Sequence, residues 1–122
     1  MARVLIIDDS PTDKQAIYGM LKKYGHQFTF ADNGLAGIES AQKAQPDVIL
    51  MDVVMPELNG YQATRRLTQD QATAHIPVIM ISSKNQETDR VWGLRQGAKA
   101  YLSKPVDEAE LAKTIAELVP AV

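Results

Sequence analysis

The sequence contains no cysteine. That absence excludes a disulfide scaffold, a thiol nucleophile and a thiolate metal site, and it fits a reducing compartment. Long hydrophobic runs are also missing. The longest early one is Val4 to Ile7, and two aspartates follow it at once. It is too short for a signal-peptide core or a membrane span, so a soluble, cytoplasmic protein is expected, with no membrane partner. An excess of positive charge is lacking as well: the formal net charge is -2. Phosphate-backbone binding relies on clustered Lys and Arg, so no nucleic-acid partner is expected. The pairs Lys22-Lys23 and Arg65-Arg66 fall on expected helices and read as solvated helix faces. No internal repeat, linker or low-complexity segment interrupts the chain.

What is present suits one domain. In 122 residues, 45% are hydrophobic, enough for a core without metal or disulfide staples. Short β-branched runs alternate with longer amphipathic stretches. Val4–Ile7, Val48–Met51, Val78–Ile81 and Ala100–Ser103 read as strands buried on both faces, and Gln27–Ala31, which alternates more, as an edge strand.

Helices fill the gaps. Ser10, Pro11 and Asp13 supply a cap, a first-turn proline and a first-turn acid ahead of a stripe of Ile17, Met20, Leu21 and Tyr24, which Gly25 ends. Asp32 or Asn33 caps a second helix carrying Leu35, Ile38 and Ala41. A third follows Gly60, and Glu87–Gln96 forms a fourth, stopped by Gly97. In the fifth, Asp107 and Glu110 make a capping-box-like pair ahead of Leu111, Ile115 and Leu118. Five such β–α units predict a doubly wound α/β sandwich.

In such sheets the site lies at the carboxyl ends of the strands, near the switch in strand order. Asp8 and Asp9 end the first strand and Asp52 the third. Ser82 and Ser83 end the fourth, and Lys104 with Pro105 ends the fifth. Two carboxylates ~4 Å apart repel by about 4 kcal/mol at an effective dielectric near 20. Three in one pocket call for a cation, and hard oxygen ligands without His or Cys select Mg²⁺. An aspartate can attack phosphorus if the anionic phosphoryl oxygens are neutralised. Mg²⁺ and Lys104 would do this, with Ser82 donating a hydrogen bond. Taken singly, each residue has a plainer reading: Asp8 a cap or loop acid, Lys104 a surface lysine, Ser82 a turn residue, Pro105 a chain breaker whose peptide bond is sometimes cis. Their joint placement at four strand ends favours the functional reading.

Four segments, VLIIDDS at Val4–Ser10, VILMDVVMPELNG at Val48–Gly60, PVIMISS at Pro77–Ser83 and YLSKPV at Tyr101–Val106, resemble the response-regulator receiver domain, the CheY-like family. The resemblance spans essentially the whole chain. It implies a flavodoxin-like five-stranded parallel sheet of order 2-1-3-4-5 with five helices. It implies one receiver domain over residues 1–122, with no output domain after Val119.

The resemblance further implies that a histidine kinase, of chemotaxis type, phosphorylates Asp52. Asp9, Asp52 and the backbone carbonyl of Val54 would ligate Mg²⁺, and Asp8 would act through a metal-bound water. Lys104 would grip the phosphoryl group. Ser82 and Tyr101 would switch, remodelling the face of the fourth helix, fifth strand and fifth helix. Ser83 replaces a frequent alanine, and Val54 and Lys84 hold positions that tune loss of the phosphoryl group. DDSPTD at Asp8–Asp13, Asn59–Asp70 and His75–Glu108 resemble more narrowly the stand-alone receivers of type IV pilus twitching systems, the PilH type.

Two rival functions fit the residues less well. An aspartate-nucleophile phosphohydrolase wants a second acid two residues after the nucleophile, where Val54 stands. A pseudo-receiver that only binds a partner typically loses an acid or the lysine, and here all are present. Trp92, the sole tryptophan, reads equally as static packing or as a partner contact.

Overall fold

Runs of Val, Ile and Leu without polar alternation need cover on both faces, and the computed structural model, which describes residues 2–119, supplies it. The outermost residues of the expected 1–122 domain lie outside that range. Strands β1 (Arg3–Ile7), β2 (Gln27–Ala31), β3 (Val48–Asp52), β4 (Val78–Ser82) and β5 (Ala100–Ser103) form one parallel sheet ordered β2-β1-β3-β4-β5. The helices are α1 (Pro11–Leu21), α2 (Gly34–Ala44), α3 (Gly60–Gln69), α4 (Glu87–Arg95) and α5 (Glu108–Leu118).

Side chains alternate along each strand, so the sheet feeds two cores. Leu5, Ile7, Ile49, Met51, Val78 and Met80 meet Ala41 of α2, Ala63 and Leu67 of α3, and Leu94 of α4. Val4, Ile6, Val48, Leu50, Ile79 and Ile81 meet Ile17 and Leu21 of α1 with Leu111 and Ile115 of α5. Full burial of one such aliphatic side chain contributes about 1.5–3 kcal/mol, and β1, β3 and β4 supply most of them.

Several local expectations are corrected. β5 is an edge strand, with Ala100 and Tyr101 half-buried and Ser103 exposed, because no strand lies beyond it among the described residues. Tyr24 leaves the α1 stripe: it sits in a 3-10 turn (Lys22–Tyr24), 44% exposed, with its hydroxyl donating to Glu108. Gly25 follows at φ +78°, which ends the turn. Leu35 is exposed, whereas Ala41 is buried and Ile38 packs on the core, and Gly34 and Gly37 complete the buried side of α2. Asn33 caps α2, accepting from the Ala36 N–H, whereas Asp32 pairs with Lys14. The Asp107–Glu110 pair works in one direction, the Asp107 carboxylate accepting from the Glu110 N–H at 3.0 Å.

Register positions the strand ends. Ile7 pairs Met51, so Asp8 lies level with Asp52, and Asp52 in turn pairs Ile81. Ser82 pairs Ser103, which puts Lys104 just beyond. The chain reverses its strand order at β1, between β2 and β3, and the acids lie at that point.

Candidate functional site

Asp8 and Asp52 are nearly fully buried, at 2% and 7% exposure, while Asp9 faces solvent. One carboxylate oxygen from each of the three lies within 4.8 Å of the others. Asp8 is fixed by its Oδ1, which accepts the Ser10 N–H at 2.8 Å. Asp52 is fixed by the backbone at the end of β3. There α3 begins so close that a Cβ on Gly60 would collide with the Asp52 carbonyl oxygen and lie 2.7 Å from the Val53 Cα. The Gly60 N–H donates to the Val53 carbonyl at 2.8 Å, which only glycine's lack of a side chain permits.

Lys104 closes the cluster. Its ammonium donates to Asp8 Oδ2 at 3.1 Å, Asp52 Oδ1 at 3.1 Å and Asp13 Oδ2 at 2.7 Å. The Lys104–Pro105 bond is cis. Ser82 is wholly buried, its Oγ accepting the Lys84 N–H at 3.0 Å. The Tyr101 hydroxyl donates to the Lys84 carbonyl at 2.6 Å. Ser83 is exposed, and so is Val54, two residues past Asp52.

Burial pushes the Asp52 carboxyl up to about 6, the charge of Asp8 adds to the rise, and Lys104 opposes it. For Lys104, burial works to lower the pKa. The hydrogen bonds to Asp13 and Asp8 and the pairing with Asp52 outweigh it and hold the ammonium above the ordinary lysine range. The result is a poised carboxylate beside a permanent cation.

The structure thus brings Asp8, Asp9, Asp52 and Lys104 together. It links Ser82 to Tyr101 through the backbone of Lys84, and it leaves Val54 at the rim. Two participants escaped the sequence reading. Asp13 passed for a first-turn helix acid, although it stands four residues before Ile17 on the buried side of α1, a spacing that aims it at the same neighbours. Tyr61 received no role. Its hydroxyl donates to the Asp89 carbonyl of α4 at 3.3 Å, and burial with contact to Tyr101 raises its pKa strongly.

An acidic cluster at the switch point of a 2-1-3-4-5 sheet, closed by a lysine just past the last strand, is the arrangement expected of a receiver domain. The chain matches the response regulator receiver domain over residues 4–116 and belongs to that family. It is 59% identical to protein PilH of Pseudomonas aeruginosa over 115 residues, covering 94% of this chain and 95% of that protein. To protein PilG of the same organism it is 34% identical, covering 98% and 88%.

Among solved structures, chemotaxis protein CheY4 of Vibrio cholerae superposes with a TM-score of 0.89 at 30% identity, covering 97% of this chain and 98% of the other. The receiver domain of the sensor histidine kinase PA1611 from P. aeruginosa superposes with a TM-score of 0.90 at 30% identity and 98% coverage of each chain. It carries a magnesium ion coordinated in its active site cleft. Receiver domains bind Mg²⁺ at this acidic site, and the three-carboxylate cluster here, all oxygen donors, fits that ion. The family is one of signalling receivers and not a classical enzyme family. Among the described residues, no helix is long and apolar enough to cross a membrane.

Proposed function

We propose that this receiver accepts a phosphoryl group from a histidine kinase onto Asp52. The supporting observation is the 3.1 Å contact between the Lys104 ammonium and Asp52 Oδ1 inside a buried carboxylate cluster. A carboxylate oxygen of Asp52 forms the new P–O bond as the donor's bond to phosphorus breaks, and the leaving group departs with the electron pair. Asp9, Asp52 and the Val54 carbonyl would hold Mg²⁺, with Asp8 acting through a metal-bound water. When bound, the ion supplies positive charge to the phosphoryl oxygens. Lys104 would supply the second cationic donor and Ser82 a hydroxyl, so that charge developing on the phosphoryl oxygens meets fixed partners.

The signal then passes from Ser82 through Lys84 to Tyr101 and leaves by protein contact at the α4–β5–α5 face. The similarity to PilH supports a role in pilus motility or a chemotaxis-like pathway, with a chemotaxis-type kinase as donor, in the cytoplasm. The receiver acts as transmitter or as phosphate sink. Retention of every acid and the lysine weighs against a pseudo-receiver.

Intact-mass measurement after treatment with a small acyl phosphate and Mg²⁺ tests the acceptor. One added phosphoryl, lost at alkaline pH and missing from Asp52→Asn, is expected. An adduct that persists in Asp52→Asn would place the acceptor elsewhere.

A further inference from the structure

An ammonium has three N–H donors, and in Lys104 three carboxylates occupy them: Asp13 at 2.7 Å, Asp8 at 3.1 Å and Asp52 at 3.1 Å. The shortest contact is with the acid that stands outside the Asp8–Asp9–Asp52 cluster. Asp13 also differs in exposure: its side chain is 42% exposed, against 2% for Asp8 and 7% for Asp52. A half-exposed carboxylate can give up its partner because water replaces the lost hydrogen bond, whereas a buried one is left unsatisfied. Nor does the helix need this carboxylate as a cap. The cap of α1 is Ser10 Oγ, which accepts the Asp13 backbone N–H at 3.2 Å.

We propose that Asp13 is the resting-state counter-ion of Lys104, a positioning residue that withholds one ammonium donor from the incoming phosphoryl group and thereby slows phosphorylation. The inference rests on the reading of Asp52 as acceptor. With all three donors taken, Lys104 meets a phosphoryl oxygen only after one carboxylate lets go. Asp8 and Asp52 are buried and fixed by the sheet, so Asp13 is the one that yields. Its negative charge also adds to the repulsion an anionic donor meets on approach.

A plainer account exists: acids are favoured in the first turn of a helix whatever lies nearby, because the helix dipole stabilises them there. That account requires no partner 91 residues away in sequence, and it makes no prediction about Lys104. The two are separated by phosphorylation rates with a small acyl phosphate at saturating Mg²⁺, measured for the parent, Asp13→Asn, Asp13→Glu, Lys104→Ala and the Asp13→Asn/Lys104→Ala double variant.

Asp13→Asn is expected to react faster by roughly two- to fivefold, the range to which release of one half-exposed ion pair converts. Asp13→Glu restores the slower rate, and the gain disappears when Lys104 is alanine. Independently of the chemistry, the Lys104 ammonium resonance of the ¹⁵N-labelled, metal-free protein at low temperature shifts in Asp13→Asn. An equal or slower rate in Asp13→Asn, an equal gain with and without Lys104, or an unchanged ammonium resonance overturns the proposal. Failure of the acceptor reading looks different: the parent takes no phosphoryl group, or Asp52→Asn keeps it.

Discussion

As the proposed acceptor, Asp52 would have to be an anion to attack phosphorus, yet the fold buries it beside Asp8, and both effects favour its protonated form. Its carboxyl titrates at about 6 in the folded chain, against an ordinary value of 3.8. The native state therefore binds this proton more tightly than the unfolded chain does. Through this group, stability is lost as pH rises from about 4 to about 6 and stays lost above. A rise of this size corresponds to roughly 3 kcal/mol, a net figure that already contains the opposing pull of Lys104. Metal-free Asp52→Asn, neutral at every pH, is thus expected to be more stable than the parent at pH 8, by about 1–3 kcal/mol. The gain should shrink toward zero at pH 4, where the parent is neutral too. Urea unfolding of both proteins at the two pH values decides it. A gain of the same size at both would mean that charge is not its source.

At the scale of elements, the loop between β4 and α4 is tied down at three points around one residue. The Lys84 N–H donates to Ser82 Oγ, its carbonyl accepts from Tyr101, and its ammonium lies 3.8 Å from Asp89 of α4. Tyr61 reaches the same turn of α4 from α3. α4 rests directly on this system, since a Cβ on Gly93 would lie 2.7 Å from Met80 Sδ and 2.9 Å from the Tyr101 ring.

A hydroxyl that turns from Lys84 toward a phosphoryl oxygen would release the loop, and the helix with it. Trp92, half-exposed on α4, reports such motion. A stable phosphoryl mimic with Mg²⁺ is expected to shift its fluorescence. Ser82→Ala should bind the mimic but shift less, and a full shift in that variant would refute coupling through Ser82. Little of this system was readable in advance. Tyr101 and Ser82 were visible through family resemblance, but Tyr61 was not, because a tyrosine on a helix face carries no sign of the hydroxyl partner awaiting it. Asp13 was hidden for a related reason: its plain local role as a first-turn acid masked a long-range one. The choice between Asp32 and Asn33 turned on a tertiary partner, Lys14, that local pattern does not contain.

For the whole molecule, the layered architecture was the legible quantity, while the strand order came with the family resemblance. Continuous apolar runs implied a sheet covered on both faces, parallel strands implied crossovers, and the switch point then located Asp8, Asp9, Asp52 and Lys104 at one edge before any side chain was placed. What pattern could not give was which strands form the edges. Ala100–Ser103 reads as a strand buried on both faces, yet it pairs with β4 at the end of the sheet, and its exposure follows from that place in the order.

The same topology concentrates charge. The chain as a whole carries only -2, but its switch point gathers Asp8, Asp9, Asp13 and Asp52 around a single lysine. A fold that crowds like charges at one edge is more stable with a divalent cation there, by RT ln(1 + [L]/Kd), about 1.4 kcal/mol at tenfold excess over Kd. The parent is accordingly expected to gain a few degrees in Tm on adding Mg²⁺. Asp9 is the exposed member of the cluster and makes the least use of burial. Replacing it removes a proposed ligand and a repulsive charge at little packing cost. Asp9→Ala should therefore keep or raise the metal-free Tm while losing most of the Mg²⁺-induced rise. Equal Mg²⁺-induced rises in the two proteins would show that the ion binds somewhere other than this edge of the sheet.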